Sequence, residues 1–515
     1  MATAGSSRRS PSAHPAADSR ESESMSDNEI RTYDVVVIGA GPVGENVADR
    51  TRAAGLSTVI VESELVGGEC SYWACEPSKA LLRPALLYRE AARFPGVADA
   101  VTGPLDAQAV LKHRDRMVAD WNDHDQVAWL ESVDVELIRG HGRLDGPRRV
   151  TVETPSGETV RLAARHAVAV CTGTSAVLPP LPGLDAVRPW TSREATSARE
   201  VPDRLAILGA GVVATEMAAA WQALGSRVTL IARGSSLLGR VEPFAADLVA
   251  ERLREAGVDL RFGTTISAAE RAGGPDDAVH LTLADGTRLV ADELLLATGR
   301  APRTADLGLE TIGLHPGEWL PTDDTFTVQA VEGDWLYAVG DVNHRALLTH
   351  QGKYQARIAG AVIADRARGL TLDTARWGRH AGTADLEAVP QVVFTDPEIA
   401  AVGLTTEDAA RAGRAVDVVD YEIGRVAGAL QYDPAYRGRA RVLIDPERRV
   451  IVGATFAGPG VAELLHSATI AITGEVPIDR LWHAVPSFPT ISEVWLRLLE
   501  TYRDQAARPG DRTGM

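Results

Sequence analysis

Cysteine is scarce here, with only Cys70, Cys75 and Cys171 in a chain of 515 residues. That is too few for a secreted disulfide scaffold, in which covalent links make up for a small core. No apolar run approaches the roughly 18 residues needed to cross a bilayer, so no membrane partner is expected. Lys and Arg number 53 against 70 Asp and Glu, a net charge of −17. Nucleic acid is therefore not an expected partner, because phosphate binding needs a basic face. Residues 1–30 lack the block of about 7–15 apolar residues that a secretory signal requires. Nothing apolar follows Arg8-Arg9, which argues against a twin-arginine signal. This stretch reads as a disordered N-terminal extension of a cytoplasmic protein.

What is present is length, and repetition within it. A chain of 515 residues exceeds what one core usually supports, so several domains are expected. Residues 33–62, YDVVVIGAGPVGENVADRTRAAGLSTVIVE, read as an apolar strand, a glycine turn, a helix ending at Gly55 and a second strand. Residues 204–233, RLAILGAGVVATEMAAAWQALGSRVTLIAR, repeat that order. Each is a βαβ unit. Each is echoed further on by an apolar strand running into Thr-Gly, VAVCTGT at 168–174 and LLLATGR at 294–300. The fold class is α/β, with two Rossmann-like domains whose parallel sheets are buried on both faces, followed by a separate α+β domain.

The expected boundaries are 31–185 and 306–370 for the first domain and 186–305 for the second. Residues 371–388 read as a polar linker, 389–503 as the third domain and 504–515 as a flexible tail. Residues 85–135 look helical, with 109–133 as the longest stretch, and hairpins are expected near 148–163 and 278–291.

Gly39, Gly41 and Gly44 follow a strand and open a helix, which lets the backbone approach a pyrophosphate held at the helix N-terminus. Glu62, closing the next strand, suits ribose hydroxyls. The second copy, Gly209, Gly211 and Ala214, is followed by Ala232-Arg233 with no acid. A guanidinium there accommodates a 2′-phosphate, which favours NADPH and leaves NADH as the alternative. Two nucleotide units in one chain suggest two nucleotides meeting, one of them a flavin. The strand that ends in Gly340-Asp341 resembles one returning to that flavin.

The cysteines lie in Gly67-Gly68-Glu69-Cys70-Ser71-Tyr72-Trp73-Ala74-Cys75-Glu76-Pro77-Ser78-Lys79. No second ligand pair accompanies them, so no metal site is expected. An inert buried pair is the bland alternative. Helical residues five apart have Cα atoms about 8–9 Å apart, whereas a disulfide needs less than about 7 Å. Cys75 is therefore expected at a helix start, where its thiolate is favoured, and Cys70 in a distorted turn. Cys171, on an apolar strand, reads as a small core residue.

The pattern GGxC-x4-C-x-PSK, some 25 residues after a flavin fingerprint, resembles the pyridine nucleotide–disulfide oxidoreductases, which include glutathione reductase, dihydrolipoamide dehydrogenase and mercuric reductase. The resemblance spans about 33–500 and includes GAGVVATEMA (209–218), TGT (172–174), ATGR (297–300), VGD (339–341) and VVFTDPEIAAVGLT (392–405). It implies that Cys75 is the charge-transfer thiol against FAD and Cys70 the interchange thiol. Lys79 and Glu216 would pair beside the flavin. Glu62, Thr172, Gly173, Gly340 and Asp341 would hold FAD, and Arg233 and Gly299 would serve NADP. The third domain would form a homodimer interface that shares the site for a small-molecule electron acceptor.

One departure stands out. Disulfide-reducing members carry a His-Pro followed by a Glu five residues after the His, an acid–base couple for the leaving thiolate. Here Glu493 is kept, but Phe488 occupies the histidine position. Either His483 substitutes or the acceptor requires no acid. His350 is a further candidate proton donor near the flavin. The alternatives to a disulfide or similar oxidant are a quinone reduced without the thiols, and a dihydrolipoamide dehydrogenase-like subunit of a larger complex.

Overall fold

Continuous apolar runs rich in β-branched residues build the first sheet. Val35–Ile38, Val59–Val61 and Ala167–Val170 are all buried, as strands covered by helices on both faces must be. The computed structural model describes residues 30–507 apart from 272, 275 and 276. Of the extension read over 1–30, all but Ile30 lies outside the described residues, as do residues 508–515 of the tail. The last helix, Val494–Ala506, runs past the expected boundary at 503.

The seven-stranded sheet has the order Glu136–Arg139, Thr58–Glu62, Ile30–Ile38, Thr159–Val170, Arg149–Glu153, His141–Leu144, with Leu336–Ala338 also paired to Thr159–Val170. Pairings around Ile30–Ile38 are parallel, and the hairpin at 149–163 is antiparallel. Thr159–Val170 serves both patterns. Its first half closes the hairpin, and its second half receives Leu336–Ala338 from far along the chain. The helix Pro42–Ala53 packs closely on Thr349–Ala367. A carbon added at Gly352 would lie 2.5 Å from Val43, and one at Gly360 2.5 Å from Arg50.

The second sheet is parallel, in the order Asp259–Phe262, Arg227–Ala232, Arg204–Leu208, Glu293–Leu296. A three-stranded meander, Ile266–Arg271, Val279–Leu283 and Arg288–Ala291, lies beside it. The chain leaves the first unit through Thr174–Ala176 and returns through Arg300–Pro302, and these two strands pair with each other. The third unit is a five-stranded antiparallel sheet, Gln391–Val393, Glu398–Gly403, Val450–Gly458, Arg439–Asp445 and Asp417–Glu422, covered by the helices Leu465–Thr473 and Val494–Ala506.

One expectation needs correcting. The stretch 109–133 is not one helix but two, Ala107–Met117 and His124–Ser132. Ala119, Asp120 and Trp121 between them all take left-handed φ values of 49, 50 and 56°. Tertiary contacts override helix propensity there. The Trp121 indole N–H donates to the Tyr72 carbonyl at 3.1 Å, and the buried Arg114 guanidinium lies over its ring. The polar stretch 371–388 is fastened to its surroundings. His380 is buried, with Nδ1 accepting from the Asp373 N–H (2.9 Å) and Nε2 donating to Asp365 on the preceding helix (3.1 Å).

Candidate active site

The first glycine turn is shaped by close approach. Gly39 has φ +98°, and a Cβ on it would sit 2.6 Å from the Cys171 carbonyl oxygen. A Cβ on Gly44 would be 1.9 Å from the Gly39 oxygen and 3.3 Å from Cys171 Cβ. Cys171 is thus the small buried residue that this contact needs, and burial pushes its thiol pKa up. Gly41 opens the helix with Pro42 behind it and no side-chain cap. The first helical N–H groups therefore stay available to an anion. Gly68 faces Gly41 closely, since a Cβ on it would lie 2.9 Å from Gly41 Cα.

The Glu62 carboxylate accepts from the Ala40 N–H at 2.7 Å and the Glu64 N–H at 2.8 Å, which fixes it at the strand end. Asp341 accepts from Thr174 Oγ1 at 2.8 Å, and burial raises its pKa. The Gly340 N–H is held by Gln355 at 2.7 Å. Thr172 Oγ1 is buried without a protein partner, next to Gly173. An uncapped helix, a cradle without Cβ atoms and an orphaned hydroxyl fit the diphosphate and polyol of FAD.

The cysteine loop solves the spacing problem by breaking its helix. Cys70 lies in the single turn Gly68–Tyr72, Trp73 and Ala74 leave helical conformation, and Cys75 is the first residue of Cys75–Arg93. Each thiol is the other's strongest influence, which lowers the Cys75 pKa and raises that of Cys70. Burial opposes ionisation at both, while Thr349 and then Lys79 further favour the Cys75 thiolate. Thr349 Oγ1 lies 3.2 Å from Cys70 Sγ and 3.4 Å from Cys75 Sγ. One hydroxyl spans both sulfurs, and its single proton serves one at a time.

Lys79 stands four residues after Cys75 and so shares its helix face. Its ammonium reaches the buried Glu216 carboxylate of the second unit at 2.9 Å and lies 4.8 Å from the Phe394 ring centre. The other Glu216 oxygen accepts from the Phe394 N–H at 3.0 Å. One carboxylate thus joins all three units beside the sulfurs.

In the second glycine turn, Gly209 approaches the Ala297 carbonyl, Gly211 opens Val212–Ala223 without a side-chain cap, and Ala214 is buried. Gly299, at φ +143°, directly precedes the return strand, and its carbonyl accepts from the Val177 N–H at 3.0 Å. Arg233 is exposed at the end of Arg227–Ala232 and pairs with no other described residue. An open, uncapped helix start with a free guanidinium beyond the next strand fits a phosphorylated dinucleotide.

The family model described as pyridine nucleotide-disulphide oxidoreductase matches residues 33–362, and the dimerisation-domain model of the same family matches residues 389–498. The chain belongs to this family. Among curated relatives, dihydrolipoyl dehydrogenase 3 of Pseudomonas aeruginosa is 32% identical over 90% of this chain and 96% of that protein. The mercuric reductase of Streptomyces lividans is 32% identical over 92% of this chain and 97% of that protein. Among solved structures, the HOCl-induced flavoprotein disulfide reductase RclA of Escherichia coli aligns with a TM-score of 0.76 at 23% identity, covering 91% of this chain and 99% of that one. That likeness concerns the fold. As a pyridine nucleotide–disulphide oxidoreductase the chain is an FAD-dependent enzyme using NAD(P)H, built of two dinucleotide-binding domains and a dimerisation domain. Among the described residues no helix is long and apolar enough to cross a membrane.

Not every residue singled out in the sequence converges on the sulfurs. Glu493 lies in the dimerisation domain, where one oxygen accepts from Arg497 at 2.7 Å and the other is buried without a partner. Phe488 is 74% exposed, and His483 is exposed nearby. His350 is exposed, and its ring bonds the Pro390 carbonyl at 2.8 Å, not the cysteines. Its neighbour Thr349 makes the sulfur contacts, and sequence reasoning missed it. The available signal was its place as first residue of the helix after the Gly-Asp strand.

Proposed function

We propose that this enzyme is a homodimeric, cytoplasmic NADPH oxidant that passes two electrons through FAD to the Cys70–Cys75 pair, and from there to a small acceptor needing no protein acid. The supporting observation is the cluster of Cys70, Cys75 and Thr349 beside the Lys79–Glu216 ion pair. FAD, when bound, supplies the link between hydride donation and thiol chemistry. Gly39, Gly41, Gly44, Glu62, Thr172, Gly173, Gly340 and Asp341 would hold it. Gly209, Gly211, Ala214, Arg233 and Gly299 would hold NADPH, Arg233 through the 2′-phosphate.

In the proposed cycle, two electrons and one proton break the Cys70–Cys75 bond and leave a Cys75 thiolate and a Cys70 thiol. The Cys70 S–H and Thr349 O–H stabilise that thiolate, and the Lys79 ammonium adds charge. Cys70, the outer sulfur, passes two electrons and its proton to the acceptor as the Cys70–Cys75 bond reforms. Phe488 cannot protonate a leaving thiolate, so the acceptor is one whose reduction needs no such acid. This counts against dihydrolipoamide.

Anaerobic titration with NADPH is expected to bleach the flavin band and leave long-wavelength charge-transfer absorbance, which Cys75→Ser abolishes. An unchanged spectrum in that variant would refute the cysteine assignment. Disulfides, quinones and metal ions then serve as acceptors. Full turnover by Cys70→Ala would transfer the activity to a thiol-independent quinone route.

A further inference from the structure

Glu69 immediately precedes Cys70, and its carboxylate is gripped by guanidinium groups from both crossovers between the nucleotide domains. Oε1 accepts from Arg193 Nε and from Arg303, each at 2.7 Å, and Oε2 from Arg300 at 2.7 Å. Arg193 lies in the helix Ser192–Ser197, on the outgoing crossover. Arg300 and Arg303 lie on the returning one, whose strand Arg300–Pro302 pairs with Thr174–Ala176. Arg193 also stacks on Trp73, between the two cysteines, at 4.2 Å, and Thr196 Oγ1 donates to the Trp73 carbonyl at 2.9 Å. From Arg300 the contacts continue to Thr174 Oγ1 at 2.6 Å and onward to Asp341.

Both crossovers between the two nucleotide domains thus meet the redox loop at one carboxylate. Burial works against its charge, yet the arginines hold its pKa below the ordinary carboxylate range. Charge-assisted bonds of this kind are short and directional, suited to fixing orientation.

We propose that Glu69 is a positioning residue for hydride delivery: by tying both crossovers to the cysteine loop, it fixes the nicotinamide domain relative to the flavin. The proposal rests on the reading that NADPH reduces FAD in this protein. Glu69→Gln keeps the shape of the side chain but loses the charge that three guanidinium groups share. A displacement of about 1 Å between reacting groups costs about 100-fold in rate.

The test is made on FAD-loaded protein, with the wild type first. If NADPH does not reduce the wild-type flavin, the proposed function fails rather than the role of Glu69. In Glu69→Gln, flavin reduction by NADPH is expected to slow about 10- to 100-fold. Reduction by dithionite and the charge-transfer band are expected to stay unchanged. Hydrogen–deuterium exchange is expected to quicken over 190–200 and 298–304, with or without FAD, and Glu69→Asp restores part of the rate. Wild-type hydride transfer and exchange in Glu69→Gln would overturn the proposal, as would loss of the charge-transfer band alone. If Glu69→Gln does not retain FAD, Arg303→Gln removes one guanidinium and is expected to change rate and exchange in the same direction. No change in either overturns the proposal equally.

Discussion

The two βαβ units share one order of elements and differ in how tightly it is drawn. In the first, Gly44 lies so close to Gly39 that a methyl group would overlap its oxygen at 1.9 Å. In the second, Ala214 occupies the equivalent position and is simply buried. The first unit ends its second strand with Glu62, locked onto the Ala40 and Glu64 amides, and the second ends with Arg233, which pairs with no other described residue. The first then supplies the cysteines, the second the Glu216 carboxylate that meets Lys79. A repeated backbone plan has been divided between two tasks, and the difference lies in a few side chains at matching positions.

Exchanging the matched positions should separate the units most sharply. Gly44→Ala is expected to destabilise the protein by more than about 2 kcal/mol through overpacking against backbone. It should also release the flavin, read as lost 450 nm-region absorbance after desalting and a lowered Tm. Ala214→Gly is expected to cost about 1 kcal/mol, as helix propensity dictates, and to retain FAD. Equal losses in the two would erase the distinction.

The terminal residues come next. Arg233→Ala should raise KM for NADPH about 10- to 100-fold, the worth of a charged hydrogen bond, with kcat unchanged. KM for NADH should stay as it was, and a matching rise for NADH would remove Arg233 from coenzyme choice.

The smallest effect sharpens the first unit's chemistry. A hydroxyl that donates to a thiolate favours the charged form, so Thr349→Val should raise the Cys75 pKa. Acid protonates the thiolate, so the charge-transfer band is lost as pH falls. In the variant this loss should occur at a higher pH, by about 1 unit for one hydrogen bond. An unshifted titration would leave Thr349 a packing residue only.

Legibility followed the range of the causes. Both βαβ units, the hairpins and the cysteine loop were readable because apolar runs, glycines and motif spacing are local signals. The break at Ala119–Trp121 was not, because what holds Trp121 in place is the Tyr72 carbonyl and buried Arg114, contacts that no local pattern encodes. Thr349 was hidden for the same reason. Some 280 residues separate it from Cys70, and tertiary packing, including that of helix glycines against Val43 and Arg50, brings them together. Glu69 carried no reading from the sequence, because its three arginine partners lie more than 120 residues away on the crossovers.

The segment at 371–388 has a mechanical consequence. Because His380 is sunk against Asp365 and Arg376 grips Glu387 at 2.7 Å and Glu475 at 2.6 Å, the strap is fastened at both ends. The unit that carries Phe488 is therefore not on a swivel. Turning that unit against the other two would have to break these contacts and the Phe394–Glu216 hydrogen bond beside the sulfurs.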